Sequence, residues 1–428
     1  MKDPLCPGPP SLAGAPWLTR RETAAVLAAL EADGGSARIV GWAVRNALIG
    51  EPVKDIDIAT TALPGEVMRL AVEAGLKAVP TGIEHGTVTV VAHHTPFEVT
   101  TLRRDIETFG RHARVTFTTD WAEDARRRDF TINALYCDAG GTIHDPLCGY
   151  VDVAQRRVRF IGDPHDRIRE DFLRILRFFR FTAEYAGGRP DAAGLAASRE
   201  LRAGLDQLSG ERIRQELLRL LAAPFAGQSL EAMHAAGILE HVLPQGAGSR
   251  PSEADGLAAL RRLAQIETTL GHAPDPIRRL AALAVAGPGG ALDLRERLRL
   301  SNGEYERLAR MGLSDRAFDP ASSEAEAKAF LYRHGTEAFT DGALIAWARS
   351  GNGAKDALRR KRAELPARWA APELPIRGAD VLALGVPPGP TVGRVVSEVE
   401  ALWIEAGFPD DPARIARELA RRVKVINS

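Results

Sequence analysis

At Asp163-Pro164 the chain changes its apolar rhythm, and this change restricts the possible architectures more than any other feature. Before it, from about Arg38 to Ile161, short runs rich in Val, Ile and Thr alternate with stretches of helical spacing. Arg38–Val40, Asp55–Ala59, Thr87–Ala92 and Phe97–Leu102 read as strands, with Gly50–Pro52, Pro80–Gly82 and His94–Pro96 as punctuation. After it, apolar residues recur at helical spacing nearly to the end, as in Leu201–Ala223, Ser229–Val242, Ser252–Leu270 and Pro276–Val285. Gly187–Pro190, Gly246–Pro251 and Gly287–Gly290 read as connections between helices. The prediction is an α/β head followed by a long all-helical remainder, with a last compositional break at Pro366–Pro375.

The 428 residues leave room for several cores. No run of about 18 apolar residues occurs, which argues against a membrane span. Met1–Ala15 is rich in Pro and Gly and lacks a charged-then-apolar leader pattern. Cys6, Cys137 and Cys148 show no CxxC spacing; they suggest neither a zinc site nor a disulfide framework, and a cytoplasmic location is expected. Formal net charge is zero, yet between Arg156 and Arg180 eight arginines stand against Asp163, Asp166, Glu170 and Asp171, an excess of four. Such a segment can attract a polyanion on a neutral protein, although a solvated helix face carries the same signature.

Asp55-Ile56-Asp57 opens an otherwise apolar strand, and a period of two puts both acids on one face. Like charges held so close repel unless a cation sits between them, and Mg²⁺ favours carboxylate with phosphate oxygens. For a bare DxD the plain alternative is a strand end with two solvated acids. The residues upstream tip the balance. Ile39-Val40-Gly41-Trp42-Ala43-Val44-Arg45 reads as a strand running through a glycine turn into a helix. A helix N-terminus offers unpaired N–H groups to phosphate, and Arg45, one turn in, adds fixed positive charge. Glu98, alone among the apolar residues of Phe97-Glu98-Val99, is the candidate third acid on a neighbouring strand; an ordinary outward-facing glutamate is its plain alternative.

The order strand, phosphate turn, helix, DxD strand resembles the head of the polymerase-β-like nucleotidyltransferases. Further motifs narrow the resemblance to the class II tRNA nucleotidyltransferases. They are Thr81-Gly82-Ile83-Glu84-His85-Gly86-Thr87, Thr100-Thr101-Leu102-Arg103, Arg111-His112, Arg127-Arg128-Asp129-Phe130-Thr131-Ile132-Asn133-Ala134-Leu135 and Arg169-Glu170-Asp171-Phe172-Leu173-Arg174. The match is dense from about Arg38 to Leu243 and weaker near Ile376–Phe408.

The resemblance implies an N-terminal extension and helix over 1–37, a nucleotidyltransferase head over 38–161, a neck over 162–223, a body over 224–365 and a tail over 366–428. It implies template-independent addition of C and A to the 3′ end of tRNA from CTP and ATP. Two Mg²⁺ ions would be held by Asp55 and Asp57, with Glu98 completing the cluster. Nucleotide contacts would fall on Gly41, Trp42, Arg45, Arg128, Asp129 and Asn133, and base reading on the neck helix with Asp171, Arg174, Arg177 and Arg180. Body and tail would grip the tRNA elbow, and Arg103–Asp120 would be a flexible loop. Oligomeric state is left open.

The residues of the predicted neck helix agree with that role. Arg174, Arg177 and Arg180 recur at i, i+3 on one slowly turning side, while Ile168, Phe172, Ile175, Leu176 and Phe179 form the packed side. An Asp accepts from the exocyclic amine of C or A, and an Arg donates to the adjacent ring atom. A salt-bridge lattice is the bland alternative. Two departures stand out: Trp42 replaces a family glycine and Asn46 a family aspartate. A tryptophan there either crowds the triphosphate or turns away, and partial impairment is expected. The competing readings are a poly(A) polymerase, a CC- or A-adding specialist, and a catalytically weakened RNA-binding homologue. An HD-type hydrolase built on His144-Asp145 and His165-Asp166 lacks further ligands in the pattern.

Overall fold

The computed structural model describes residues 8–109, 112–244, 251–313, 318, 323–351 and 353–427. Cys6, Arg111 and residues 246–250 of one expected connection lie outside the described residues. The head contains β1 (Ala37–Val40), β2 (Asp57–Thr60), β3 (Lys77–Gly82), β4 (Thr87–Ala92), β5 (Thr95–Thr101), β6 (Arg103–Phe109), β7 (His112–Phe117), β8 (Tyr136–Cys137) and β9 (Ile143–His144). Seven strands make one mixed sheet in the order β3-β4-β5-β2-β1-β8-β9, and β6 pairs with β7 in a separate ribbon. β2 and β5 are parallel, in register Asp57↔Glu98, Ile58↔Val99, Ala59↔Thr100 and Thr60↔Thr101. A parallel neighbour needs a long crossover; here helix Pro64–Glu73 and the antiparallel β3–β4 pair supply it. Val88, Val90, Phe97 and Val99 are buried while Glu98 is exposed, the alternation of a half-covered sheet.

Three differences from the sequence pattern have local causes. β2 begins at Asp57 rather than Asp55, because its partner β1 ends at Val40↔Asp57 and Gly41 turns away at φ 70° and ψ −113°. Asp55 and Ile56 therefore have no ladder partner on that side. Pro80 lies inside β3 instead of ending it, since β3 is the sheet edge and a missing N–H costs nothing on the outer side. The stretch expected as a flexible loop forms the β6–β7 ribbon, with an irregularity between Asp105 and Glu107.

Asp163 starts the helical part by accepting from the His165 and Asp166 N–H groups at 2.9 and 3.1 Å, capping helix Pro164–Glu170. The expected single neck helix breaks at Asp171, which is extended at φ −157° and ψ 108°, and resumes as Leu173–Tyr185. Leu201–Ala223 divides similarly into a 3₁₀ turn, Arg202–Gln207, and helix Gly210–Ala222. Ser229–Val242 divides at Gly237, whose φ is 67°. Helix Leu173–Tyr185 packs on Gly210–Ala222. Phe130 and Phe160 of the head meet Phe178 and Phe181 of that helix, ring centroids 5.3 to 6.3 Å apart.

The chain divides into two compact units, Met1–Gln245 with Glu296–Leu300, and Gly246–Arg295 with Ser301–Ser428. The first takes in the expected head, the neck and the start of the body. Inside the second, Glu267, Arg278, Arg279 and Asp341 are buried together and knit its helices by ion pairs. Its last two helices, Pro390–Glu405 and Pro412–Asn427, share a core of Val395, Val399, Trp403, Ile415 and Leu419. Among the described residues no helix is long and apolar enough to cross a membrane. Cys137 is a free, buried thiol.

Candidate active site

The β2–β5 register brings the acids together. Asp57 and Glu98 are direct partners on parallel strands, so their side chains leave the sheet on the same face. Asp55 lies two residues before Asp57, and all three are exposed. Solvent reaches Asp57, yet the surrounding protein desolvates it; the Glu98 and Asp55 charges add to this, pushing its carboxyl up to about 6 against the pull of Arg128. A cation would relieve that crowding. Among the described residues, however, no group of three or more His, Cys, Asp or Glu stands close enough to hold a metal ion ready-made. The donor set still fits Mg²⁺, which binds through one or two carboxylates and takes its other ligands from water and substrate phosphates.

Beside the acids, Gly41 turns the end of β1 into helix Trp42–Ile49. Its positive φ favours glycine, and a methyl group added there would lie 3.8 Å from Arg128 Nη1 and 3.5 Å from the Asn133 carbonyl oxygen. Arg128 thus faces both the turn and the Asp57 charge. It is aimed by Asp124, 1% exposed, whose Oδ2 accepts from Arg128 Nη2 at 3.1 Å and from the Tyr136 hydroxyl at 2.8 Å. Arg167 steadies the same segment, donating to the Arg127 and Arg128 carbonyls at 2.6 and 2.7 Å.

Arg45, expected from the sequence at the triphosphate, is buried against the neck helix. It is 2% exposed, donates to Asn133 Oδ1 and to the Tyr185 hydroxyl (2.8 Å), and lies 4.0 Å from the Tyr185 ring centroid. Those partners and two aromatic faces offset the desolvation that draws its pKa down. From Arg45 a chain of bonds runs through Asn133, whose Nδ2 donates to Asp129 Oδ1 at 2.9 Å. Asp129 Oδ2 accepts from Arg177 Nε at 2.9 Å and Nη2 at 2.6 Å. Burial opposes ionisation of Asp129, but Arg177, Asn133 and the Phe130 N–H hold its carboxyl well below the usual carboxylate range. Arg177 and Arg180 both pair with Glu216, and Arg180 also with Glu184.

The neck residues therefore carry an ion-pair lattice. Arg174 pairs with Glu170 and donates to the Arg167 carbonyl at 2.8 Å. Asp171 is not on the helix but caps it, Oδ1 accepting from the Leu173 N–H at 3.1 Å while Oδ2 accepts from Arg212 Nη2 at 2.7 Å. The apparent excess of arginine shrinks accordingly. Arg157 and Arg159 pair with Asp152, and Asp129, Glu184 and Glu216 come from outside the segment to Arg177 and Arg180. Asp124, Glu216, Arg212 and Tyr185 belong to the site but were not singled out in the sequence. Only Asp124, at i, i+3 and i, i+4 from Arg127 and Arg128, left a readable signal.

Trp42, the first residue of its helix, is half-buried and its side chain lies close to the Tyr185 hydroxyl. The indole is therefore turned toward the neck helix.

The mixed sheet, acidic strand pair and glycine turn define a nucleotidyltransferase head, and residues 37–159 match the family described as the Poly A polymerase head domain. Residues 191–248 match the family described as "Probable RNA and SrmB- binding site of polymerase A". The mitochondrial CCA tRNA nucleotidyltransferase 1 of Danio rerio is 34% identical over 390 residues, 87% of this chain and 84% of its own. The CCA-adding enzyme of Limosilactobacillus fermentum is 31% identical over 388 residues, 90% and 93% of the two chains. The crystal structure of Bacillus stearothermophilus CCA-adding enzyme in complex with CTP superposes with a TM-score of 0.72 at 28% identity, covering 95% of this chain and 98% of that one. The chain belongs to the CCA tRNA nucleotidyltransferase family.

Proposed function

We propose that this protein adds C and A to the 3′ end of tRNA from CTP and ATP, releasing pyrophosphate. The observation that carries the reading is Asp57 in direct register with Glu98, next to a glycine turn faced by Arg128. Asp55, Asp57 and Glu98 would hold two Mg²⁺ ions, which when bound supply neutralisation of phosphate charge and acidification of the 3′-hydroxyl. The tRNA 3′ oxygen bonds to the α-phosphorus as the bond to the β-phosphate bridging oxygen breaks. Arg128, fixed by Asp124, offers positive charge toward the turn and the leaving phosphates. Asp171 and Arg174 supply the acceptor and donor that suit C and A and mispair with U and G. Arg212 meets Asp171, and Glu170 and the Arg167 carbonyl meet Arg174, so reading a base would exchange these partners for base edges. The same reading takes the cytoplasm as the working compartment.

Incubation of tRNA lacking its 3′ end with CTP, ATP or both, followed by sizing of products, tests it. The expected outcome is two residues added with CTP alone and three with both. Long A tracts would make it a poly(A) polymerase, growth arrested at CC a specialist, and no growth a binding homologue.

A further inference from the structure

Two side chains of the phosphate-turn helix converge on one hydroxyl of the neck. Arg45 Nη2 donates to the Tyr185 hydroxyl at 2.8 Å, and its guanidinium lies 4.0 Å from the Tyr185 ring centroid and 5.3 Å from that of Phe181. Trp42, at the start of the same helix, lies close to the same hydroxyl. Tyr185 is the last residue of helix Leu173–Tyr185, whose first turn carries Arg174 and is capped by Asp171. A helix is stiff, and the eleven steps from Arg174 to Tyr185 span about 16 Å at 1.5 Å per residue.

We propose that Tyr185 is a positioning residue: with Trp42 and Arg45 it locks the turn that receives the triphosphate to the far end of the helix that reads the base. It touches neither substrate nor metal. Its effect is on register, because a base pairs selectively with Asp171 and Arg174 only if its triphosphate is held at a fixed offset from them. A misplacement of about 1 Å in a reacting constellation costs on the order of 10²-fold in rate. Trp42 then stands in the turn as half of a latch, and its bulk is accommodated because the ring faces Tyr185.

The inference rests on the reading of this chain as a C- and A-adding enzyme, so wild-type incorporation into truncated tRNA is the reference. Tyr185→Phe removes the acceptor of Arg45 and keeps the ring; Trp42→Phe removes the indole edge beside that hydroxyl. Each is expected to raise KM for CTP and ATP roughly 3- to 10-fold, the scale of one lost hydrogen bond, with a smaller change in kcat. Each is also expected to raise UTP misincorporation relative to CTP. The double variant should be no worse than Tyr185→Phe alone, since both changes act at the same hydroxyl. Unchanged KM and base preference in Tyr185→Phe would overturn the latch, as would a lowered melting temperature with selectivity intact. A KM that falls in Trp42→Gly would also overturn it, because the indole would then be obstructing the triphosphate. If wild-type protein adds no nucleotide, the functional reading fails first; if it does and the variants match it, only the latch fails.

Discussion

Asp57 and Glu98 face each other because β2 and β5 run parallel in one register, and a one-residue slip would turn Glu98 to the opposite face of the sheet. Replacing Asp57 or Asp55 with Ala should lower nucleotide incorporation by at least about 10³-fold, because metal ligands stabilise transition-state charge by several kcal/mol. Affinity for tRNA, measured by filter binding, should stay near wild type; near-normal incorporation in both variants would remove these acids from the mechanism. Chelation of Mg²⁺ should give the same loss and be reversed by its return. Asp129 carries a different prediction. Its carboxyl is held below the usual range in the folded state, so its stabilisation is complete above the unfolded value of about 4 and is lost as pH falls through the folded one. Asp129→Asn should therefore weaken the protein at neutral pH and flatten the acid limb of its stability profile, measured by urea unfolding from pH 7 downward. An acid limb as steep as wild type would assign that sensitivity to other groups.

Among the elements, the neck junction is where the proposed base reading falls. Two helices meet at Asp171, whose one carboxylate caps Leu173 and pairs with Arg212. Asp171→Ala should act twice. Loss of the cap costs about 1 kcal/mol of stability, seen as a modest fall in melting temperature. Loss of the acceptor removes the mismatch penalty against uracil, seen in competition assays with all four nucleotides. If CTP and ATP remain as strongly preferred as before, this junction does not read the base.

At the scale of the molecule, two compact units rest on different chemistry. Aromatic packing among Phe130, Phe160, Phe178 and Phe181 joins head to neck in the first. In the second, Asp341, 2% exposed, accepts from Arg278 Nε at 2.9 Å and from Arg307 Nε at 2.6 Å and Nη2 at 2.9 Å. Without Asp341, Arg278 keeps Glu267 and Arg307 keeps Asp275, so the cost falls below the about 3–5 kcal/mol of a buried charge left wholly unpaired. Asp341→Ala should accordingly bring forward a separate calorimetric transition, since a chain of two units need not unfold in one step. A single transition at the wild-type temperature would show that this network contributes little.

The sequence by itself determined the α/β head, the helical remainder and the family, because Gly41, the DxD pair and the neck motif are local patterns whose spacing carries their chemistry. It also marked Glu98, a lone charge between buried strand residues. Only the tertiary structure decided that Arg45 is buried, that Asp171 caps a helix, and that the neck arginines are answered by Asp129, Glu184 and Glu216. Partners such as Arg45 and Tyr185 lie 140 positions apart. No periodicity links residues so distant, and a charge read along the chain counts only its neighbours in sequence. The direction of the Trp42 ring belongs to the same class: what a side chain meets is set by the helix packed against it.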